Sequence, residues 1–378
     1  MEATVQPKSN FNFKQIFGKP IDAIDDILAD KEKHIRIFEI PKKDGTKRKI
    51  IAPDFKLKYI QKAVYYKILK KYKADNASHG FVNKRGIVTN AIQHVGSNSV
   101  GKIDIEKFFD TISEKHLKNC LFGNRNICRL CKNYTMMLEG RCNPSLYANK
   151  TENYPHKCEE IKSIFMEGYC EKTGYQSLFK RLIDICTYKG FAAQGFPTSP
   201  MVANIVMRGF DKAMTKHCEE QGVIYTRYAD DLSFSSKTLS SKDLKEKTKL
   251  KAYRLLWAFG FKPKRQKTKY RSKTGRMTIC GIVVNVKTSI KKYTIKLFRA
   301  KVHHATVKFP EQTTRGKLKA LKGWASFLMA VDKEKGKYYM EKLITFERQK
   351  FGDQSPIPIE SNTESLIDGV VNIDEGHA

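Results

Sequence analysis

With 378 residues, 40% of them apolar, the chain can bury a sizeable core in two or three subdomains, which excludes an extended tail protein. Its 71 Lys and Arg against 39 Asp and Glu leave a net charge of +32, an excess that points to a polyanionic partner, nucleic acid first. No apolar run is long enough to span a bilayer, and Met1-Glu2-Ala3-Thr4 opens neither a lipidation motif nor a secretory signal, so no membrane partner is expected.

The nine cysteines are expected in a reducing cytoplasm, where thiols favour metal binding or burial over disulfides. In chain order, residues 1–34 read as an N-terminal helical segment, with Ile21, Ile24, Ile27 and Leu28 at helical spacing. Ile35 to Ile40 and Lys47 to Ala52 read as strands flanking a turn that ends at Gly45. This basic hairpin could grip a triphosphate; the alternative is an edge strand guarded by lysines. Leu57 to Tyr72 follows as an amphipathic basic helix. From Ser78 to Gly86 the chain is basic and bounded by glycine, and Thr89 or Asn90 opens a helix bearing His94. Amides and cations there could meet phosphates, while His94 by itself reads as a packed, hydrogen-bonded histidine.

Val100 to Asp104 is a short strand ending in an acid, followed by an aromatic turn with Phe109 and by Asp110, expected to cap a helix from Ser113. Residues 120–175 break the pattern. Cys128, Cys131, Cys142 and Cys158, with His156 beside the last, offer a zinc set, against the alternative of buried thiols acting as small hydrophobes. The string from Gln194 to Pro200 joins a turn to a helix from Met201 to His217, with Ser199 as its cap and Pro200 at the first helical position.

Val223 to Tyr228 and Leu232 to Ser236 alternate as two strands about a turn that carries Asp230 and Asp231. A basic helix, Leu244 to Phe259, stops at Gly260. Basic residues run on to Lys267, and an apolar strand with a turn spans Met277 to Asn285. Residues 286–350 are helical and basic, with Leu321, Trp324, Phe327 and Leu328 on one apolar side, and the tail from 351 has six acidic residues and no Lys or Arg.

Adjacent carboxylates repel, and a protein keeps both ionised mainly when a cation sits between them or water is plentiful. Mg²⁺ is usually held by one or two carboxylates plus substrate phosphates. Asp104, with Asp230 and Asp231 and a nucleotide triphosphate, would complete a two-metal phosphoryl-transfer site. A solvated turn is the alternative for the Asp pair.

Asp104 with Phe109 five positions on, the Gln194 to Pro200 string, Tyr228-Ala229-Asp230-Asp231, and Gly260-Phe261 ending in Lys267-Thr268 resemble, in order and spacing, a reverse transcriptase palm. Asn90 and His94, in the pattern Asn-Ala-x-x-His, are similar to the bacterial retron reverse transcriptases. Ile279-Cys280-Gly281 stands where that family has Val-Thr-Gly. The resemblance covers roughly residues 35 to 345 apart from the insertion.

It implies an α+β fold, a right-hand polymerase with fingers, a ferredoxin-like antiparallel palm and a helical thumb. The expected divisions are 1–34, fingers and the start of the palm at 35–103, palm at 104–285 with the insertion at about 120–175, thumb at 286–350 and an acidic tail at 351–378. The resemblance further implies RNA-directed DNA synthesis, with two Mg²⁺ ions on Asp104, Asp230 and Asp231 and Lys267 as general acid. Lys47 and Arg48 would contact the triphosphate, Phe109 would be a steric gate against the 2′-hydroxyl, and Gln194, Gly195 and Tyr228 would border the nucleotide. Asn90, His94, Lys291 and Lys292 would contact RNA.

The implied partners are dNTPs, a cognate non-coding RNA that serves as template and as 2′-hydroxyl primer, and its RNA-linked single-stranded DNA product, msDNA. A separate effector protein in antiphage defence is also expected, because the length leaves no room for a fused one. The competing expectations are a group II intron or diversity-generating reverse transcriptase, and an idle nucleic-acid scaffold. Loss of a catalytic acid would mark the scaffold, and all three acids are present.

Overall fold

The computed structural model describes residues 21–42, 45–122 and 181–352. The zinc set of Cys128, Cys131, Cys142 and Cys158 lies outside the described residues, as do residues 1–20 and the tail from 353. In chain order the strands are β1 (Ile35–Pro41), β2 (Lys47–Pro53), β3 (Ser99–Asp104), β4 (Thr187–Tyr188), β5 (Phe191–Ala192), β6 (Ile224–Tyr228), β7 (Asp231–Ser236), β8 (Lys269–Ser272), β9 (Thr278–Ile279) and β10 (Ile282–Val283). The chain divides into two compact units. One holds Met1–Ala74 and Lys107–Arg208, the other Asp75–Glu106 and Gly209–Ala378. This division cuts across the expected boundaries, since Phe109 and Gln194 group with the first 74 residues.

In the first unit, β1 and β2 pair antiparallel with Pro41 opposite Lys47, closing the basic hairpin. Helix Phe55–Lys67 starts at Asp54, whose carboxylate accepts from the Leu57 amide at 2.9 Å. It buries Leu57, Ile60, Gln61 and Val64, one face at helical spacing. Two expected caps are corrected. Asp110 lies exposed in the short turn Phe108–Thr111, and the next helix starts instead on Ser113, whose carbonyl accepts from the Leu117 amide at 3.1 Å. Ser199 donates its hydroxyl back to the Ala193 carbonyl at 2.7 Å, while the Thr198 carbonyl receives the Val202 amide.

The second unit is built on a four-stranded antiparallel sheet in the order β6-β7-β3-β8. With helix Ser199–Glu220 entering before β6 and helix Ser241–Ala258 between β7 and β8, the succession is β-α-β-β-α-β, the ferredoxin-like arrangement. Helix Ser241–Ala258 covers the sheet with Leu244, Thr248, Ala252 and Leu256, one residue per turn. Phe210 meets Tyr225 and Phe259 edge-on at 6.4 and 6.1 Å. A second apolar core joins Met277, Ile279 and Ile282 of the β9–β10 hairpin to Phe298, Leu321, Leu328 and Leu343 of the helices Lys292–His303, Arg315–Val331 and Lys333–Phe351. Among the described residues no helix is long and apolar enough to cross a membrane.

Candidate catalytic site

Strand β7 alternates polar and apolar residues, and its last pair with β6, Tyr228 with Asp231, leaves Ala229 and Asp230 as a two-residue tip. Ala229 sits at φ 53°, a left-handed conformation that L-residues seldom adopt. The same register sets Asp231 opposite Asp104 at the end of β3. Two carboxylates 127 positions apart in sequence therefore share one end of the sheet, with Asp230 beside them.

Burial pushes the Asp230 carboxyl up to about 6, helped by the charges of Asp231 and Asp104. Asp104 is also raised, by burial first, although Lys267 opposes the shift. Two ammonium groups partly offset this negative charge: Lys267 lies 3.5 Å from Asp104 and Lys102 lies 3.4 Å from Asp231. The strand's two-residue period puts Lys102 on the Asp104 face, a placement legible in the sequence. Both lysines and both acids line a cleft of about 530 Å³, together with Lys269, Arg271, Arg276 and Lys291. Lys292 is exposed and is not among the lining residues.

An acid whose ionisation is raised from 3.8 to about 6 in the folded state takes up a proton on folding. Its stabilising contribution is full below about pH 4 and is lost as pH rises through about 6. In EDTA the melting temperature should therefore fall by about 2 °C between about pH 5 and pH 7, relative to Asp230→Asn. Parallel pH profiles for the two proteins would contradict the assignment.

The tip is held from below by a buried polar group that no sequence motif marks. Arg227 and Asp211 are both fully buried. Nε of Arg227 donates to Oδ1 of Asp211 at 2.8 Å and Nη2 donates to Oδ2 at 2.7 Å. Tyr225 donates its hydroxyl to the same carboxylate at 2.8 Å. Nη1 of Arg227 reaches the Ala229 carbonyl at 3.0 Å, and Nη2 reaches the Ser78 hydroxyl at 3.2 Å. The Arg227 backbone also exchanges hydrogen bonds with Ala77 and His79. Gly80 follows, where a side-chain carbon would stand 2.6 Å from the Ala229 nitrogen. A planar, permanently charged fork thus fixes the strained residue next to the acids.

Asn90 and His94, expected to meet RNA, are instead fully buried. Nδ2 of Asn90 donates to Sγ of Cys280 at 3.1 Å, and Cys280 and Gly281 form the β9–β10 turn, both at positive φ. The His94 ring bonds Ser235 through Nδ1 and Thr226 through Nε2, each at 2.7 Å. Burial, with His79 nearby, drives its pKa down to about 3. The imidazole is neutral and ties β6 to β7. The Asn-Ala-x-x-His pattern therefore locks two hairpins in place and presents no surface to a ligand.

The remaining expected residues lie in the first unit. Lys47 pairs with Glu39 at 3.1 Å, and Arg48 stands exposed on the same strand, opposite Ile40. The Gln194 carbonyl accepts from the Ile51 amide at 2.8 Å. Gly195, at φ 119°, leaves room for the Ile51 carbonyl, which a side-chain carbon would approach to 2.6 Å. The basic hairpin and the Gln194 turn are thereby joined. Phe109 is half-buried, its ring 5.4 Å from that of Phe108.

A family model described as reverse transcriptase (RNA-dependent DNA polymerase) matches residues 40–315. Retron Mx162 reverse transcriptase of Myxococcus xanthus is 27% identical over 332 residues, covering 84% of this chain and 62% of that protein. Retron Ec86 reverse transcriptase of Escherichia coli is 28% identical over 317 residues, covering 82% and 79%. Among solved structures, apo telomerase from Candida tropicalis, truncated from its C-terminal domain, superposes with a TM-score of 0.40 at 15% identity, over 68% of this chain and 55% of that one. The chain spans less than two thirds of the length of the Myxococcus relative. With the family model covering well over half of its residues, and the acids of that match gathered at one sheet end, the chain belongs to the reverse transcriptase family.

Proposed function

We propose that this chain is an RNA-directed DNA polymerase of the retron type. The observation that carries the reading is the antiparallel register of β3 and β7, which sets Asp104 against Asp231 beside Asp230 at the mouth of a cation-lined cleft. Three carboxylates that supply hard oxygen donors, one of them raised by burial and by its acidic neighbours, suit a pair of Mg²⁺ ions held by Asp104, Asp230 and Asp231. Bound there, the ions supply Lewis acidity to the attacking hydroxyl and the departing pyrophosphate.

The side chains supply the rest. Lys267, beside Asp104, gives a proton to the leaving pyrophosphate. Lys47 and Arg48 hold the triphosphate, Phe109 excludes a 2′-hydroxyl, and Gln194, Gly195 and Tyr228 border the nucleotide. Lys291, with Lys102, Lys269, Arg271 and Arg276, lines a path for polyanionic backbone leading from the acids. Lys292 adds charge next to it.

The retron part of the reading is supported by the two relatives above. It proposes a structured non-coding RNA as template and 2′-hydroxyl primer, RNA-linked single-stranded DNA as product, and a separate effector protein in defence. Incubating the chain with a candidate RNA and dNTPs, then treating the product with ribonuclease and a debranching enzyme, tests this part. A branched RNA–DNA product is expected, and only linear products would contradict it. Replacing Phe109 by Ala should raise ribonucleotide relative to deoxynucleotide incorporation on the order of 10- to 100-fold, the scale of removing one steric clash. An unchanged ratio would place the gate elsewhere.

A further inference from the structure

Residues 55–73, in the unit that does not contain the acids, hold no Asp or Glu. Helix Phe55–Lys67 turns Leu57, Ile60, Gln61 and Val64 inward, and the opposite face carries Phe55, Tyr59 and Tyr66, which are 82, 45 and 59% exposed. Three large aromatics on one solvent-facing side of a soluble helix have no role in its core. They follow one another by four and then seven residues, so they rise along the axis by about 6 Å and about 10 Å, stacked on one side of the helix.

Lysines stand between and beside them. Lys58, Lys62 and Lys70 are exposed, and the Lys70 ammonium lies 5.5 Å from the Tyr66 ring centre. The Phe55 and Tyr59 rings are 6.5 Å apart and tilted by 39°. Aromatic faces interleaved with cations, and without carboxylates, match a strand whose unpaired bases present π-faces and whose phosphates carry the charge. A protein partner would have to be strongly acidic and aromatic-seeking at once. A-form duplex presents no base faces to such a row.

We propose that this helix face is a stacking platform for unpaired RNA, a nucleic-acid site separate from the catalytic cleft. The choice of RNA over other single strands rests on the polymerase reading above, in which RNA is the partner that has unpaired segments. Stacking fixes unpaired bases here, and the lysines add a sequence-independent attraction that fades with salt.

Fluorescence anisotropy with an unstructured oligo(rU) of about 20 nucleotides, and with a blunt RNA duplex carrying the same number of phosphates, tests the platform in the full-length chain. Tyr59→Ala with Tyr66→Ala should weaken oligo(rU) binding about 10- to 100-fold, leave duplex binding within about twofold, and keep the salt slope. Lys58→Ala with Lys62→Ala should lower the salt slope by about one to two on both RNAs. Phe55→Ala, at the most exposed position, gives a variant whose fold is not at risk, and it should weaken oligo(rU) a fewfold. Oligo(rU) binding equal to wild type in both aromatic variants would overturn the proposal. Equal losses on oligo(rU) and duplex would also overturn it, because stacking would then not be the cause. Primer extension by the wild-type chain is read separately: its failure would remove the polymerase reading, whereas the anisotropy series alone decides the platform.

Discussion

Replacing Asp230 and Asp231 together by Asn is expected to lower primer extension by on the order of 10³-fold or more. Two carboxylates of a two-metal site support several kcal/mol of transition-state stabilisation, and each 1.36 kcal/mol is tenfold in rate. RNA binding should persist with its salt slope intact, because a chain of net charge +32 loses none of its cations. Folding should also persist, since an amide matches the shape of a carboxylate and removes both the cost of burying a charge at Asp230 and the repulsion from Asp231 and Asp104 that adds to it. A double variant that still extends a primer at more than about a tenth of the wild-type rate would show that the metals sit elsewhere.

The second large effect concerns Arg227. Truncating it alone to Met leaves Asp211 charged in the interior with the Tyr225 hydroxyl but no cation beside it, and should cost about 3–5 kcal/mol of stability. Replacing the group together, Asp211→Leu with Tyr225→Phe and Arg227→Met, removes every partner of the buried carboxylate, and apolar substitution of such a pair is often neutral. The triple variant is therefore expected to melt within a few degrees of wild type. Its kcat should stay low, by on the order of 10²-fold, because the Ala229 carbonyl has lost its guanidinium donor and a tip displaced by about 1 Å misplaces the acids. KM for dNTP should change little, because Lys47 and Arg48, the residues proposed to hold the triphosphate, belong to another unit. Recovery of activity along with stability would make Arg227 merely structural.

The legible parts of the molecule were those written locally. Alternation in Val223 to Ser236 gave the β6–β7 hairpin, and the acid at the end of Val100 to Asp104 gave the edge of β3, each within a residue or two of the observed bounds. The helices were found the same way, because their buried faces recur at helical spacing. What a linear reading could not supply is register across long separations. Asp104 opposite Asp231, and Gln194 against Ile51, depend on strand pairings that no neighbouring residue encodes.

Arg227 was invisible for a different reason. An arginine within an alternating strand reads as solvent-facing, and only the carboxylate of Asp211, 16 positions earlier, makes its burial affordable. For Asn90 and His94 the family resemblance implies RNA contact, whereas here their partners are Cys280, Thr226 and Ser235, far away in sequence. The packed-histidine alternative described His94 correctly. Lys102 shows the converse case, a residue that simple strand period puts on the acid face but that the many lysines of this chain hide.

Incorporation of dTTP on oligo(dT)-primed poly(rA) by the purified chain, measured across a Mg²⁺ titration and in EDTA, separates a polymerase from an idle scaffold. Extension that requires Mg²⁺, stops in EDTA and is lost in Asp104→Asn is the expected result. A folded, RNA-binding protein that adds no nucleotide at any Mg²⁺ concentration, or one that extends equally well in EDTA, would contradict a metal-dependent RNA-directed polymerase built on Asp104, Asp230 and Asp231.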